Sequence, residues 1–289
     1  MISASLVKEL REATGAGMLD CKKALEASNG NIEEAVTWLR EKGISKAAKK
    51  ASRIAAEGLA VAKINGNKAV VVEVNSETDF VAKNAEFTGL VDTIAEAVLN
   101  SEVSTMDDAM KLSVDGSTVE ELIAGKTATI GEKLSFRRFK KVTKEDNQVF
   151  GTYSHMGGKI VALTVLSSDS ELAKDIAMQV AAMRPLYLDR DHVPAEVLEK
   201  ERNILTEQAE NEGLDSNKIP MIVNGRLNKY FEDVCLVDQG FVKENKMKVS
   251  KYVESKNSEI KSFVRYEVGE GMEKKEENFA EEVAKQING

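Results

Sequence analysis

Two stretches of this chain carry the same signals in the same order. One runs LAVAKINGNKAVVVEVNSE and, after a gap, NAEFTGLVDTIAEAV; the other runs VFGTYSHMGGKIVALTVLSS and then DSELAKDIAMQVAAM. Each reads as a strand, a glycine turn followed by a lysine (Lys68, Lys159), a second strand and a capped helix. When the lysines are set in register the strands match. The helices match only if the first copy holds about six extra residues, which fall around TDFVAK. That motif is therefore an insertion into a unit that closes without it. Strand–hairpin–helix units with their helices on one side predict an α+β fold with a two-part core.

The insertion puts an acid and an aromatic side by side, Asp79 and Phe80, directly behind the apolar run AVVVEV. A loop phenylalanine either packs back onto its own core or is held out for a partner. The second copy fills its core with no equivalent residue, which turns the comparison toward the partner.

The remaining segments arrange themselves around this repeat. Ahead of it, three short helices are predicted: Ser3 or Ser5 caps the first, with Leu6, Val7 and Leu10 on one face. TGAGM breaks the chain before a second helix carrying Met18, Leu19, Ala24 and Leu25. SNGN turns it again, and Asn31 caps a third helix with Ile32, Val36 and Leu39 inward. The glycine of EKG is expected to end this helix. Helices this short form only a small bundle, of the kind used for docking. ISKAAKKASRIAAEG, with Lys46, Lys49, Lys50 and Arg53, reads as a solvated, partly helical linker; a nucleic-acid contact is the alternative, less favoured because no aromatics interleave for base stacking. TIGEKLSFRRFKKV predicts a strand with Arg137 and Arg138 near its edge. PAEVLEKERNILTEQAENEG and KIPMIVNGRLNKYFEDV predict an antiparallel helical hairpin over 194–234, with Val197, Leu198, Ile204, Leu205, Ile219, Val223, Leu227 and Tyr230 as its apolar stripe. SFVRYEVGEGM predicts a strand. EKKEENFAEEVAKQING predicts a last amphipathic helix with Phe279, Val283 and Ile287 on one face. The expected division is 1–54 for bundle and linker, 55–140 and 141–272 for the two core halves, and 273–289 for a C-terminal module.

Composition narrows the function. The 289 residues are 42% hydrophobic and 30% charged, with a net charge of -8. Such a chain is soluble and has little to offer phosphate backbones, so neither direct nucleic-acid binding nor a membrane span is expected. The opening MISASLVKELRE carries charges where a signal peptide needs an apolar run. Cys21 and Cys235 lie far apart and suit a reducing cytoplasm. There is no GxxxxGK[ST] loop, no GxGxxG between strand and helix, no metal-ligand spacing and no nucleophile elbow. GGK at Gly157–Lys159 is a hairpin turn, with His155 at its rim. An interaction protein without cofactor or metal is favoured over an enzyme.

The segments LVKELREATGAGMLDCKKALEASNGNIEEAV, KAAKKASRIAAEG, EVNSETDFVAKN, IGEKLSFRRF and FVRYEVGEGMEK closely resemble, in that order, the bacterial translation elongation factor Ts family. The resemblance covers nearly the whole chain and is weakest across about 100 to 128. It implies a ubiquitin-associated-like N-terminal bundle, a core of two related halves, a coiled-coil hairpin and a C-terminal module. It also implies a cytoplasmic guanine-nucleotide exchange factor that binds GDP-bound elongation factor Tu, expels GDP and leaves a nucleotide-free complex that GTP resolves. The family's insertion motif falls on Thr78, Asp79, Phe80, Val81, Ala82 and Lys83. There the aromatic wedges into the GTPase and the motif disturbs its magnesium site. His155 aligns with a second partner-contacting histidine, although the neighbouring HMGGK departs from some relatives. Self-association through the helical hairpin is a further expectation.

Overall fold

The structure is a computed structural model that describes residues 2–14, 18–50 and 53–273. It is a mixture of helix and sheet, as an α+β chain should be. The described residues divide into two compact units. One is drawn from Met1–Asn65, Ala69–Lys141 and Tyr266–Gly289, the other from Gly66–Lys68 and Val142–Arg265. Of the described residues, 266–273 fall in the first of these units. The helix expected over 273–289 lies outside the described residues save for residue 273.

The first unit opens with α1 (Ala4–Thr14), α2 (Met18–Ala27) and α3 (Ile32–Lys50). Ser3 Oγ accepts from the Leu6 N–H, and Asn31 Oδ1 accepts from the Glu33 and Glu34 N–H groups, so orphan donors at two helix starts are satisfied. Leu10, Cys21, Ala24, Leu25 and Ala35 form the interior of this bundle. Leu19, by contrast, is three-quarters exposed (75%). The inward stripe of α2 is set by Cys21, Ala24 and Leu25, at i, i+3 and i+4, and Leu19 falls off it. Gly43 does not end the third helix, which continues to Lys50. A glycine costs a helix interior about 1 kcal/mol, and the alanines and lysines that follow are strong enough formers to carry it through.

Next come the hairpin strands β1 (Glu57–Asn65) and β2 (Lys68–Ser76), the one-turn helix α4 (Asp79–Ala82) and α5 (Ala85–Leu99). After them follow α6 (Met106–Met110), the short strands β3 (Ser113–Val114) and β4 (Ser117–Thr118), α7 (Val119–Ile130) and β5 (Ser135–Thr143). The sheet order is β1-β2-β5, so β2 is central. Val70, Val72 and Val74 of β2 share a core with Phe87, Leu90, Val91, Ile94 and Val98 of α5 and with Phe136 of β5. The alternate residues of β2 are buried too, among them Glu73 and Asn75. The period of two in a strand puts these on the opposite face, where Glu73 meets Gly269 of the returning chain.

The second unit repeats the order with β6 (Val149–His155), β7 (Ile160–Leu166) and α8 (Ser170–Met183). His155 pairs with Ile160 across the Met156–Lys159 turn, and Met156, Gly157 and Gly158 all have positive φ. Asp169 caps α8 by accepting from the Glu171 and Leu172 N–H groups. α8 lies so close to β6 that a Cβ on Gly151 would sit 2.1 Å from the Ala173 carbonyl. From Lys159 to the start of α8 is 11 residues; from Lys68 to the start of α5 is 17. The difference of six is the length of chain that contains α4.

α9 (Ala195–Asn211) and α10 (Ile219–Val234) form a helical hairpin. Leu205, Ala209, Ile219, Val223, Leu227 and Phe231 are buried along it, whereas Ile204 is 39% exposed and Tyr230 only partly buried. The inward stripe thus takes Phe231 rather than Tyr230, since Phe231 follows Leu227 at i+4 and carries no hydroxyl to desolvate. Below it, Arg190 makes a two-point pair with Asp238 (2.8 and 3.0 Å) and lies over the Phe231 ring. The unit closes with β8 (Gly240–Phe241), β9 (Glu244–Lys248), α11 (Val249–Ser255) and β10 (Ile260–Glu267). The three-stranded sheet has the order β10-β7-β6. Among the described residues no helix is long and apolar enough to cross a membrane.

Candidate functional site

The chain leaves β2 at Ser76 and must reach the start of α5 at Ala85. Thr78 is extended (φ -127°, ψ 157°) and its Oγ accepts from the Val81 N–H at 3.4 Å, so it is the N-cap of α4. Asn84 then caps α5, its Oδ1 accepting from the Glu86 N–H at 2.7 Å. One helical turn is therefore held between two caps, and the caps decide which side faces in. Ala82 is buried (7% exposed) and Val81 packs against the core of the first unit. Phe80 points the other way and is 81% exposed.

Asp79 and Lys83 sit one turn apart and pair at 2.7 Å across the outer surface of the same turn. Both are substantially exposed, so solvent screens the pair and it can open at little cost. The result is an apolar ring flanked by a carboxylate and an ammonium that can be re-directed. Burying such a ring against another surface is worth roughly 1.5–3 kcal/mol. Thr78, Asp79, Phe80, Val81, Ala82 and Lys83 thus form one element, with Phe80, Asp79 and Lys83 facing out and Val81 and Ala82 facing in.

His155 belongs to the second unit. It ends β6, is exposed, and stacks on Tyr153 with ring centroids 6.2 Å apart. Met156 beside it has φ 49° and is 70% exposed.

Sequence reasoning missed the residues that seat α4. Glu132 accepts from the Thr78 backbone N–H at 3.0 Å through one oxygen and from the Thr78 hydroxyl at 2.6 Å through the other. Next to Thr78, Glu77 accepts from the Lys133 N–H at 2.6 Å and pairs with Arg53 at 3.2 Å. The partners stand 54 and 56 positions apart in the chain. The one local signal was IGEK: Gly131 ends α7 with φ 91°, and that left-handed cap turns the next two residues toward Glu77 and Thr78.

The elongation factor TS family model matches residues 77–270. This is more than half of the chain, and the chain belongs to the elongation factor Ts family, whose members act in translation elongation. The matched residues begin at Glu77 and take in α4, Glu132, His155 and the helical hairpin. The bundle and the strands β1 and β2 precede them.

Proposed function

We propose that this chain is a guanine-nucleotide exchange factor: it binds GDP-bound elongation factor Tu, disturbs the magnesium and phosphate site and releases GDP so that GTP can bind. The observation that carries this reading is Phe80, held 81% exposed on a turn whose other side is buried. A phenylalanine turned outward on an element whose other side is anchored in the core is placed to meet a second surface. In this mechanism Phe80 inserts into the GTPase, and Asp79, released from Lys83, acts on the polar groups around the wedge. Magnesium bridges phosphate and protein oxygens, so moving its ligands weakens the nucleotide without touching its base.

No bond is made or broken on the factor. It and GDP each weaken the other's binding, and because that coupling is reciprocal, returning nucleotide expels the factor. A thousandfold faster release needs a barrier lower by roughly 4 kcal/mol, and one buried phenylalanine supplies much of it. His155 is a second contact in this reading. The ubiquitin-associated-like bundle adds docking affinity through multivalency, and Ile204 and Met221 of the helical hairpin offer apolar surface for self-association. The setting is the cytoplasm, with no cofactor on the factor itself.

The test is stopped-flow release of fluorescent GDP from elongation factor Tu. The wild-type chain should accelerate release, and Phe80→Ala should slow that stimulated release by about one to two decades, the kinetic equivalent of roughly 1.5–3 kcal/mol. Stimulation by Phe80→Ala at the wild-type rate would exclude the wedge; no stimulation by the wild-type chain would exclude exchange altogether.

A further inference from the structure

We propose that Glu132 is a positioning residue for partner engagement, acting on Phe80 through Thr78; this rests on the reading of Phe80 as the wedge. α4 has four residues, too few to persist as a helix on its own. Its direction is set where it begins. Both oxygens of the Glu132 carboxylate are engaged by Thr78, one by the backbone N–H and one by the hydroxyl. Two-point contact with a planar carboxylate fixes the Thr78 backbone and its χ1 together. The fixed hydroxyl then presents its lone pair to the Val81 N–H, the bond that starts the turn. The path is continuous: Glu132, Thr78, the first turn of α4, Phe80.

Glu132 is itself held. Gly131, left-handed at φ 91°, ends α7 immediately before it. Lys133 immediately after it donates its N–H to Glu77, the neighbour of Thr78. The two segments therefore exchange carboxylates, Glu132 onto Thr78 and Glu77 onto Lys133. Each grip keeps the other in register. Glu132 never touches the partner in this arrangement. It pre-orients the ring, so that binding need not order the turn.

The experiment measures stimulated release of fluorescent GDP from elongation factor Tu, with amide hydrogen exchange on the same full-length proteins. Glu132→Ala should slow release about tenfold, the order expected for losing a charge-assisted hydrogen-bond pair. Glu132→Gln keeps the shape and one acceptor and should fall between Ala and wild type. Thr78→Ser keeps both donors and should retain the wild-type rate. In the Phe80→Ala background, Glu132→Ala should change release less than about twofold, because the group it positions is gone. Amides of residues 81–83, which bond to Thr78 and Phe80, should exchange faster in Glu132→Ala while those of α5 keep their protection. A Glu132→Ala that slows release equally with and without Phe80, or that loosens α5 along with α4, would make Glu132 a general fold contact and overturn the proposal. If Phe80→Ala slows release and Glu132→Ala does not, Glu132 alone is wrong. If Phe80→Ala is itself without effect, the wedge falls and the positioning role falls with it.

Discussion

The carboxylate of Glu73, wholly buried in β2, accepts the backbone N–H of Gly269 at 2.8 Å from 196 positions further along the chain. Arg137 and Arg138 reach the same carboxylate at 2.9 and 2.6 Å, and the Arg138 guanidinium stacks on Tyr266 at 4.1 Å. A Cβ on Gly269 would sit 2.2 Å from the Ala56 carbonyl oxygen, so only glycine can bring its N–H this close. Burial by itself would raise the Glu73 carboxyl; the Gly269 N–H, Arg137 and Arg138 outweigh it and hold the group below the ordinary glutamate value. A carboxyl whose folded value is depressed stabilises the protein fully above its unfolded value, near 4.3, and loses that contribution as pH falls through the folded value. Glu73→Ala removes the buried carboxylate shared by two arginines and leaves the Gly269 N–H without its acceptor, and should lower stability by about 3 kcal/mol near neutrality. Glu73→Gln should flatten the acid side of a plot of urea midpoint against pH below about 4.3. An unchanged acid limb in Glu73→Gln would show that the acid sensitivity arises elsewhere.

Two glycines should respond in opposite directions to the same methyl group. Gly151→Ala drives a Cβ to 2.1 Å from the Ala173 backbone, which cannot move without lifting α8 off its sheet. A loss of about 1–3 kcal/mol is expected, as for other overpacked cores. Gly225 sits on the exposed side of α10 with nothing within 4 Å of its Cβ position. Gly225→Ala should add about 0.5–1 kcal/mol by removing unfolded-state freedom. Thermal melts of the two variants decide both.

Phe80→Ala and Asp79→Ala should separate stability from partner action. Phe80 has so little buried surface to lose on truncation that stability should change by about 0.5 kcal/mol or less. Asp79→Ala should slow stimulated GDP release as Phe80→Ala does. The double variant should be slower by less than the product of the two, since both act through one turn. A clear fall in melting temperature for Phe80→Ala, with release reduced only in proportion to unfolded protein, would return Phe80 to a packing role.

Cys235 should be chemically silent in the native protein. Its side chain is fully buried, and burial followed by the Asp238 carboxylate pushes the thiol up to about 11. Little thiolate exists near neutral pH, and thiolate is the reacting form. In a Cys21→Ser background, an aromatic disulfide reagent at pH 8 should modify Cys235 only as fast as that part of the chain opens, and urea should accelerate it. Rapid modification without denaturant would contradict the burial.

The turn chemistry and periodicity of this chain were legible without coordinates, because they are local. NGN and MGG supply the positive φ that tight hairpins need, the β-branched runs beside them have nowhere to go but a sheet, and the apolar spacing of α5 and α8 is the helical one. The offset between Lys68 and Lys159 located the six extra residues and drew attention to Phe80. Where local signals competed, the stronger one decided. Gly43 did not stop α3, Leu19 fell off the stripe of α2, and Phe231 displaced Tyr230 inside the helical hairpin. The direction in which Phe80 points was a tertiary decision. It depends on Ala82 and Val81 finding the core of α5 and β2, and on Glu132 meeting Thr78 across 54 positions. A carboxylate in a sequence does not declare its donor; Glu73 and Glu132 read as two more acids among 48 acidic residues until folding brought Gly269 and Thr78 to them. Pairings that close loops this long are set by the geometry of the packed elements, and composition and periodicity carry no record of them.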